Sequence, residues 1–126
     1  MEKSVVYTSA APAAVGPYSQ AIAAGDLIFL SGQLPLDPET GRFPSEDVAE
    51  QTAQSLQNIR AVLAQAGLTL DAVVKTTVLL QDIADFDAMN KVYASFFTTD
   101  CPARSAFQVA ALPKGAKVEI EAVAVR

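Results

Sequence analysis

Along the chain, apolar residues recur with two different periods. In short stretches they follow the two-residue alternation of strands, and in two longer ones the 3.6-residue spacing of helices. Ser4 to Thr8 is short and β-branched and predicts an edge strand; Tyr18 to Ala24 predicts a second strand. Gly25-Asp26 is a tight-turn signal leading into a third, Leu27 to Ser31, an apolar run that ends at Gly32. Leu34 to Pro44 holds three prolines and Gly41 and predicts a loop. Ser45 is placed to cap a helix whose apolar positions are Val48, Thr52, Leu56, Ile59, Leu63 and Ala66, with Gly67 to end it. Ala72 to Leu80 predicts a strand with Val74, Thr76, Val78 and Leu80 on one face. Asp82 or Asp85 starts a second helix with the stripe Phe86, Met89, Tyr93 and Phe96. Two strands follow Pro102, joined by the turn Leu112 to Lys117.

The order is three strands, helix, strand, helix, two strands. Two helices on one face of a mixed sheet give an α+β fold in a single domain, residues 1–126. The other sheet face keeps apolar residues with nothing in the same chain to cover them, which argues for self-association.

The last two strands carry charges among apolar neighbours. Arg104, Ala106, Gln108 and Ala110 share one face of the first strand. In the second, Val118, Ile120, Ala122 and Ala124 form an apolar face and Glu119, Glu121, Val123 and Val125 the opposite one. A charge in such surroundings costs free energy unless something answers it. If the two strands run antiparallel in one sheet, Arg104 lies far from the turn and Glu119 just beyond it. At ~3.3 Å per residue they would then sit roughly 20 Å apart. A small-molecule site using both would need a second chain.

Composition narrows the chemistry. The 126 residues are 51% hydrophobic and 18% charged, enough for one core with apolar surface left over. The net charge of −5 is opposite to that of a general nucleic-acid binder. There is no histidine, which removes Ser-His and Cys-His catalysis and most zinc sites. The single Cys101 makes no intrachain disulfide, the opening residues do not read as a signal peptide, and no apolar run is long enough to span a membrane. A cytoplasmic protein without membrane attachment is expected.

Arg104 leads the candidates. Its planar fork binds a carboxylate through two hydrogen bonds and stays charged at any working pH; a surface arginine at a strand start explains it equally well from spacing alone. Glu119 is a carboxylate able to hold a water or take its proton, although Glu121 on the same face favours a pair of charges that discourage edge pairing. Tyr18, after Gly16-Pro17, is able to close a pocket or is plain packing. Ser31-Gly32 offers close backbone approach at a strand end. Asn90 follows the core residue Met89 by one position and either reaches a pocket or faces solvent.

With these residues in place, the chain resembles the reactive intermediate deaminase A family, RidA, also called YjgF. The resemblance is carried by GPYSQA at 16–21, FLSGQLPLDPETG at 29–41, the helix at 51–67, the segment 75–97 and PARSAFQVAALPKGAKVEIEAVA at 102–124. It implies a chorismate-mutase-like α+β fold, a homotrimer with three clefts between subunits, and hydrolysis of reactive enamines and imines such as 2-aminoacrylate to a 2-keto acid and ammonia. It implies Arg104 as the carboxylate-binding residue and Glu119 as the water-holding one. Tyr18, Ser31, Gly32 and Asn90 fall on other cleft positions, and backbone at Gly32 or Ala106 would support the water or the intermediate. No metal or cofactor is implied, and the partner is a small molecule. Many members have a cysteine where this chain has Ala106, which opens pocket size and substrate preference. Three alternatives stand beside it: a non-catalytic binder of small keto or fatty acids, a pathway-specific enamine deaminase, and RNA cleavage, against which the acidic charge and absent histidines weigh.

Overall fold

A computed structural model describes residues 2–126. Among them are six strands and two α-helices: β1 Lys3–Val6, β2 Ala21–Ala24, β3 Leu27–Gln33, α1 Val48–Gln65, β4 Val73–Leu80, α2 Phe86–Phe96, β5 Ala103–Gln108 and β6 Val118–Val125. The strands form one mixed sheet in the order β1-β2-β3-β6-β4-β5, with only the β4–β5 pair parallel. The expected edge strand β1 is indeed at an edge, and the Gly25-Asp26 turn joins β2 to β3, with Gly25 at φ 59°.

Both helices cover one sheet face. The buried stripe of α1 includes Leu56, Ile59, Val62 and Leu63, and it meets Ile28 and Leu30 of β3, Val78 and Leu80 of β4 and Val118 and Ile120 of β6 in one apolar core. Met89 and Tyr93 bring α2 into the same core. Helix α1 begins two residues later than Ser45 suggests: Asp47 is the N-cap, its carboxylate accepting from the Ala49 N–H at 2.9 Å. The Ser45 hydroxyl instead accepts from the Asp47 N–H and meets the Glu50 carboxylate. Gly67 ends α1 as expected. At φ 77° it lets the Leu68 N–H return to the Leu63 carbonyl at 2.9 Å. The two candidate caps of α2 divide the work: Asp82 caps a 3-10 turn over Ile83–Asp85, and Asp85 is the N-cap of the helix itself, without a side-chain bond.

Two bulges alter the expected faces. Between Val73 and Lys75 the pairing of β4 with β6 shifts register, so Val73 is buried and Val74 turns outward. Val74 therefore does not share the face of Thr76, Val78 and Leu80. The second bulge, between Leu30 and Gln33, carries β3 past Ser31 to Gln33. Strand β2 starts only at Ala21, because Gln20 is engaged elsewhere: its side chain accepts from the Thr8 N–H at 2.8 Å and donates to the carbonyls of Thr8 and Pro12.

The final two strands are antiparallel in one sheet but are not neighbours; β4 lies between them. Arg104 is level with Thr76 and Glu119 with Leu79. The offset along the strands is thus three residues, about 10 Å, with about another 10 Å across two strand spacings. The roughly 20 Å from a direct pairing is an overestimate. What separates the two side chains is the sheet itself. Arg104 shares the helix-covered face with buried Thr76, whereas Glu119 alternates with core residues Val118 and Ile120 and so points to the open face.

That open face bears Leu27 and Phe29 of β3, Phe107 of β5 and Val125 of β6, all exposed, with half-buried Leu79 and Val123 between them. No helix among the described residues is long and apolar enough to cross a membrane.

Candidate functional site in two halves

The seven candidate residues gather into two groups on opposite faces of the sheet. The first is centred on Arg104. Its Nη1 donates to Asn90 Oδ1 of α2 at 2.7 Å, and its guanidinium carbon lies 4.7 Å from the Tyr93 ring centroid and 5.5 Å from that of Phe86. None of these contacts is a carboxylate, so the cation is steadied without being neutralised. Asn90 is half-buried and aimed at Arg104, which excludes the reading of it as a plain solvent-facing residue. Ala106, two residues along β5 on the same face, packs against the core.

The second group lines a cleft of about 600 Å³ on the other side. Tyr18, Ser31, Gly32 and Glu119 contribute to it, with Pro12, Val15, Leu34, Leu36 and Pro113 as apolar wall. Local structure explains each position. Gly16 takes φ 123°, open to glycine and costly for other residues, and the resulting turn swings Tyr18 outward, half-exposed. The β3 bulge puts Ser31 and Gly32 at the cleft. The Ser31 hydroxyl donates to the Ser19 carbonyl at 2.6 Å, so toward a ligand it is left as an acceptor. Gly32 is required by contact: a Cβ there would come within 2.6 Å of Glu119 Oε2. The Glu119 carboxyl thus lies flat against backbone. Burial, and secondarily the Glu121 carboxylate, hold its pKa above the ordinary glutamate range.

Four contributors lie outside the seven candidates that the sequence offers. Gln20 is buried and pins the 8–12 segment that forms one wall of the cleft. A lone glutamine among small apolar residues, inside the GPYSQA stretch, was a usable signal. Tyr93 and Phe86 read in the sequence only as the helix stripe; their second contact, with Arg104, depends on which strand α2 covers and has no local signature. Lys114, at φ 60°, also lines the cleft. Among the described residues, no three histidine, cysteine, aspartate or glutamate side chains stand together as a metal site would need.

A mixed sheet with two helices on one face, an arginine held by α2 on that side and a half-buried carboxylate in a cleft on the other define an α+β protein with a divided candidate site. The profile of a protein family described as Endoribonuclease L-PSP matches residues 8–126. The chain belongs to this family, the YjgF/RidA family. It is 55% identical to the Reactive Intermediate Deaminase A, chloroplastic, of Arabidopsis thaliana, over 98% of this chain and 66% of that protein. It is 49% identical to the human 2-iminobutanoate/2-iminopropanoate deaminase, over 98% of this chain and 90% of the human one. Among solved structures, E. coli TdcF with bound serine superposes with a TM-score of 0.94 at 44% identity, covering 98% of each chain.

Proposed function

We propose that this protein hydrolyses reactive 2-imines, and the 2-enamines that tautomerise to them, to 2-keto acids and ammonia, at sites completed by neighbouring copies in a homotrimer. One observation carries the reading: an arginine fixed by α2, with no acidic partner among the described residues, and a carboxylate of raised pKa in a cleft stand on opposite faces of one sheet. A single chain cannot aim both at one small molecule; two chains can. The relatives named as deaminases at about half identity, and a relative's structure holding serine, supply the chemistry that such a pair suits.

The steps follow from the groups. The unused edge of the Arg104 guanidinium forks the substrate carboxylate. In the cleft of an adjoining copy, Glu119 holds a water and takes its proton as the oxygen bonds to the imine carbon. Glu119 returns that proton to the nitrogen, the hydroxyl proton of the tetrahedral adduct follows it as the C–N bond breaks, and nitrogen leaves as ammonia while the carbonyl forms. Ser31, acting as acceptor, receives the N–H of the substrate, and Tyr18 closes the cleft. Each imine consumes one water and returns one keto acid and one ammonia, so no redox partner is needed. The cytoplasmic location expected from the sequence fits the exposed, unpaired thiol of Cys101.

The test is to generate 2-iminopropanoate in place with an amino-acid oxidase and follow pyruvate formation. Wild type is expected to accelerate it, and Arg104→Ala to lose about 10²-fold or more of that acceleration, because a substrate no longer clamped by its carboxylate is misplaced for the water. Equal rates for the two proteins would end the assignment. Saturable pyruvate binding with no turnover would replace it by the non-catalytic binder.

A further inference from the structure

Arg104 stands on β5, at the edge of the sheet. An arginine there with one hydrogen bond would spread over many rotamers, and a ligand carboxylate would have to freeze it. The structure removes that freedom from one direction. Phe86, Asn90 and Tyr93 lie at positions i, i+4 and i+7 of α2, a single stripe, and all three touch the guanidinium: two ring faces at 5.5 and 4.7 Å and one amide oxygen at 2.7 Å.

The nearer ring is itself held. The Tyr93 and Thr76 hydroxyls are 2.7 Å apart, and Thr76 is the register partner of Arg104 across the parallel β4–β5 pair. On its other side Tyr93 packs on Phe97, ring centroids 4.7 Å apart. A closed circuit therefore runs from β4 through the Tyr93 ring to the guanidinium on β5 and back through the strand pairing. Burial raises the Tyr93 pKa, with Thr76 and Arg104 pulling it the other way. The phenol thus stays neutral and meets the cation as a π face.

We propose that Tyr93, assisted by Phe86, is a positioning residue that fixes the plane of the Arg104 guanidinium, so that one edge is spent on Asn90 and the other is presented ready-formed to the substrate carboxylate. This rests on Arg104 as the carboxylate-binding residue. It assigns the aromatic stripe of α2 a role in ligand affinity that core packing alone does not require.

The test compares Tyr93→Phe, Tyr93→Leu and Phe86→Leu with Arg104→Ala. Pyruvate affinity is measured by calorimetry, KM and kcat by the imine assay, and folding by thermal melting. Removing the nearer ring in Tyr93→Leu is expected to weaken pyruvate binding and raise KM by about 3–30-fold, the span of a cation–π contact, with kcat moving much less. Phe86→Leu, at the start of the helix and less buried, gives a smaller rise in the same direction. Tyr93→Phe restores binding, because the ring is retained. Should Tyr93→Leu not fold, Phe86→Leu against wild type carries the test. Folded Tyr93→Leu or Phe86→Leu that binds pyruvate like wild type overturns the proposal, as does Tyr93→Phe failing as badly as Tyr93→Leu. If Arg104→Ala itself binds pyruvate normally, the functional reading falls and this one with it. If only Arg104→Ala loses binding, the functional reading stands and the aromatic cradle is merely core.

Discussion

Glu121 stands two residues from Glu119 on the same face of β6 and lines the same cleft. From the sequence, that pairing made both residues look like charges that discourage edge association. The structure gives them different surroundings: Glu119 is half-buried beneath Gly32 and Glu121 is exposed. Burial is the larger reason the Glu119 proton is held to higher pH, and Glu121 is the smaller. A Glu119 that must be ionised to accept a proton from water loses activity as pH falls through its pKa. Glu121→Gln removes a neighbouring negative charge, eases ionisation, and moves the acid limb to lower pH. The expected result is a kcat/KM profile displaced toward acid with the plateau unchanged. A limb that stays put, or moves toward neutral pH, would mean that Glu119 is not the titrating base.

The element that matters most for the cleft is the bulge in β3. One extra residue there carries Ser31 and Gly32 to the cleft mouth and lays Gly32 against the Glu119 carboxyl. The backbone of Gly32 is not in the left-handed region, so alanine fits its conformation; only the carboxylate must give way. Gly32→Ala is therefore expected to keep its melting temperature within a few degrees, because the group displaced is the end of a flexible side chain. Activity should fall about 10–100-fold, since a displacement near 1 Å at the reacting group costs that much. Full activity in this variant would separate Glu119 from the chemistry. The same element shows the limits of reading by alternation. Six strands and two helices follow from the 2.0 and 3.6 periods, because burial on one face writes itself into those periods. A bulge adds a residue without leaving a mark in the pattern, which is why alternation alone puts Val74 inward and ends β3 at Ser31. Capping was legible in kind and off by two residues, since Ser45, Asp47 and Glu50 all carry oxygens suited to the role. Strand order was not legible at all: nothing local says that β4 enters between β5 and β6, and the separation of Arg104 from Glu119 depended on it.

At the scale of the whole molecule, the exposed apolar residues and the divided site have one explanation. Leu27, Phe29, Phe107 and Val125 occupy the face toward which Glu119 also points, and no described residue covers them. On the proposed reading, another copy on that face buries them and supplies a second Arg104 to the cleft. The arrangement makes a demanding prediction, because each site would then take its arginine from one chain and its glutamate from the next. Arg104→Ala and Glu119→Gln proteins are each expected to be inactive. Unfolded together in equal amounts and refolded, they are expected to form mixed trimers. A site is then whole wherever the intact arginine of one variant faces the intact glutamate of the other, which random assembly gives at about a quarter of positions. Recovery of about a quarter of wild-type deamination, at a sedimentation mass of three chains, is the expected outcome. If both residues served one site within a single chain, no mixing ratio would recover anything, since no chain in the mixture carries both.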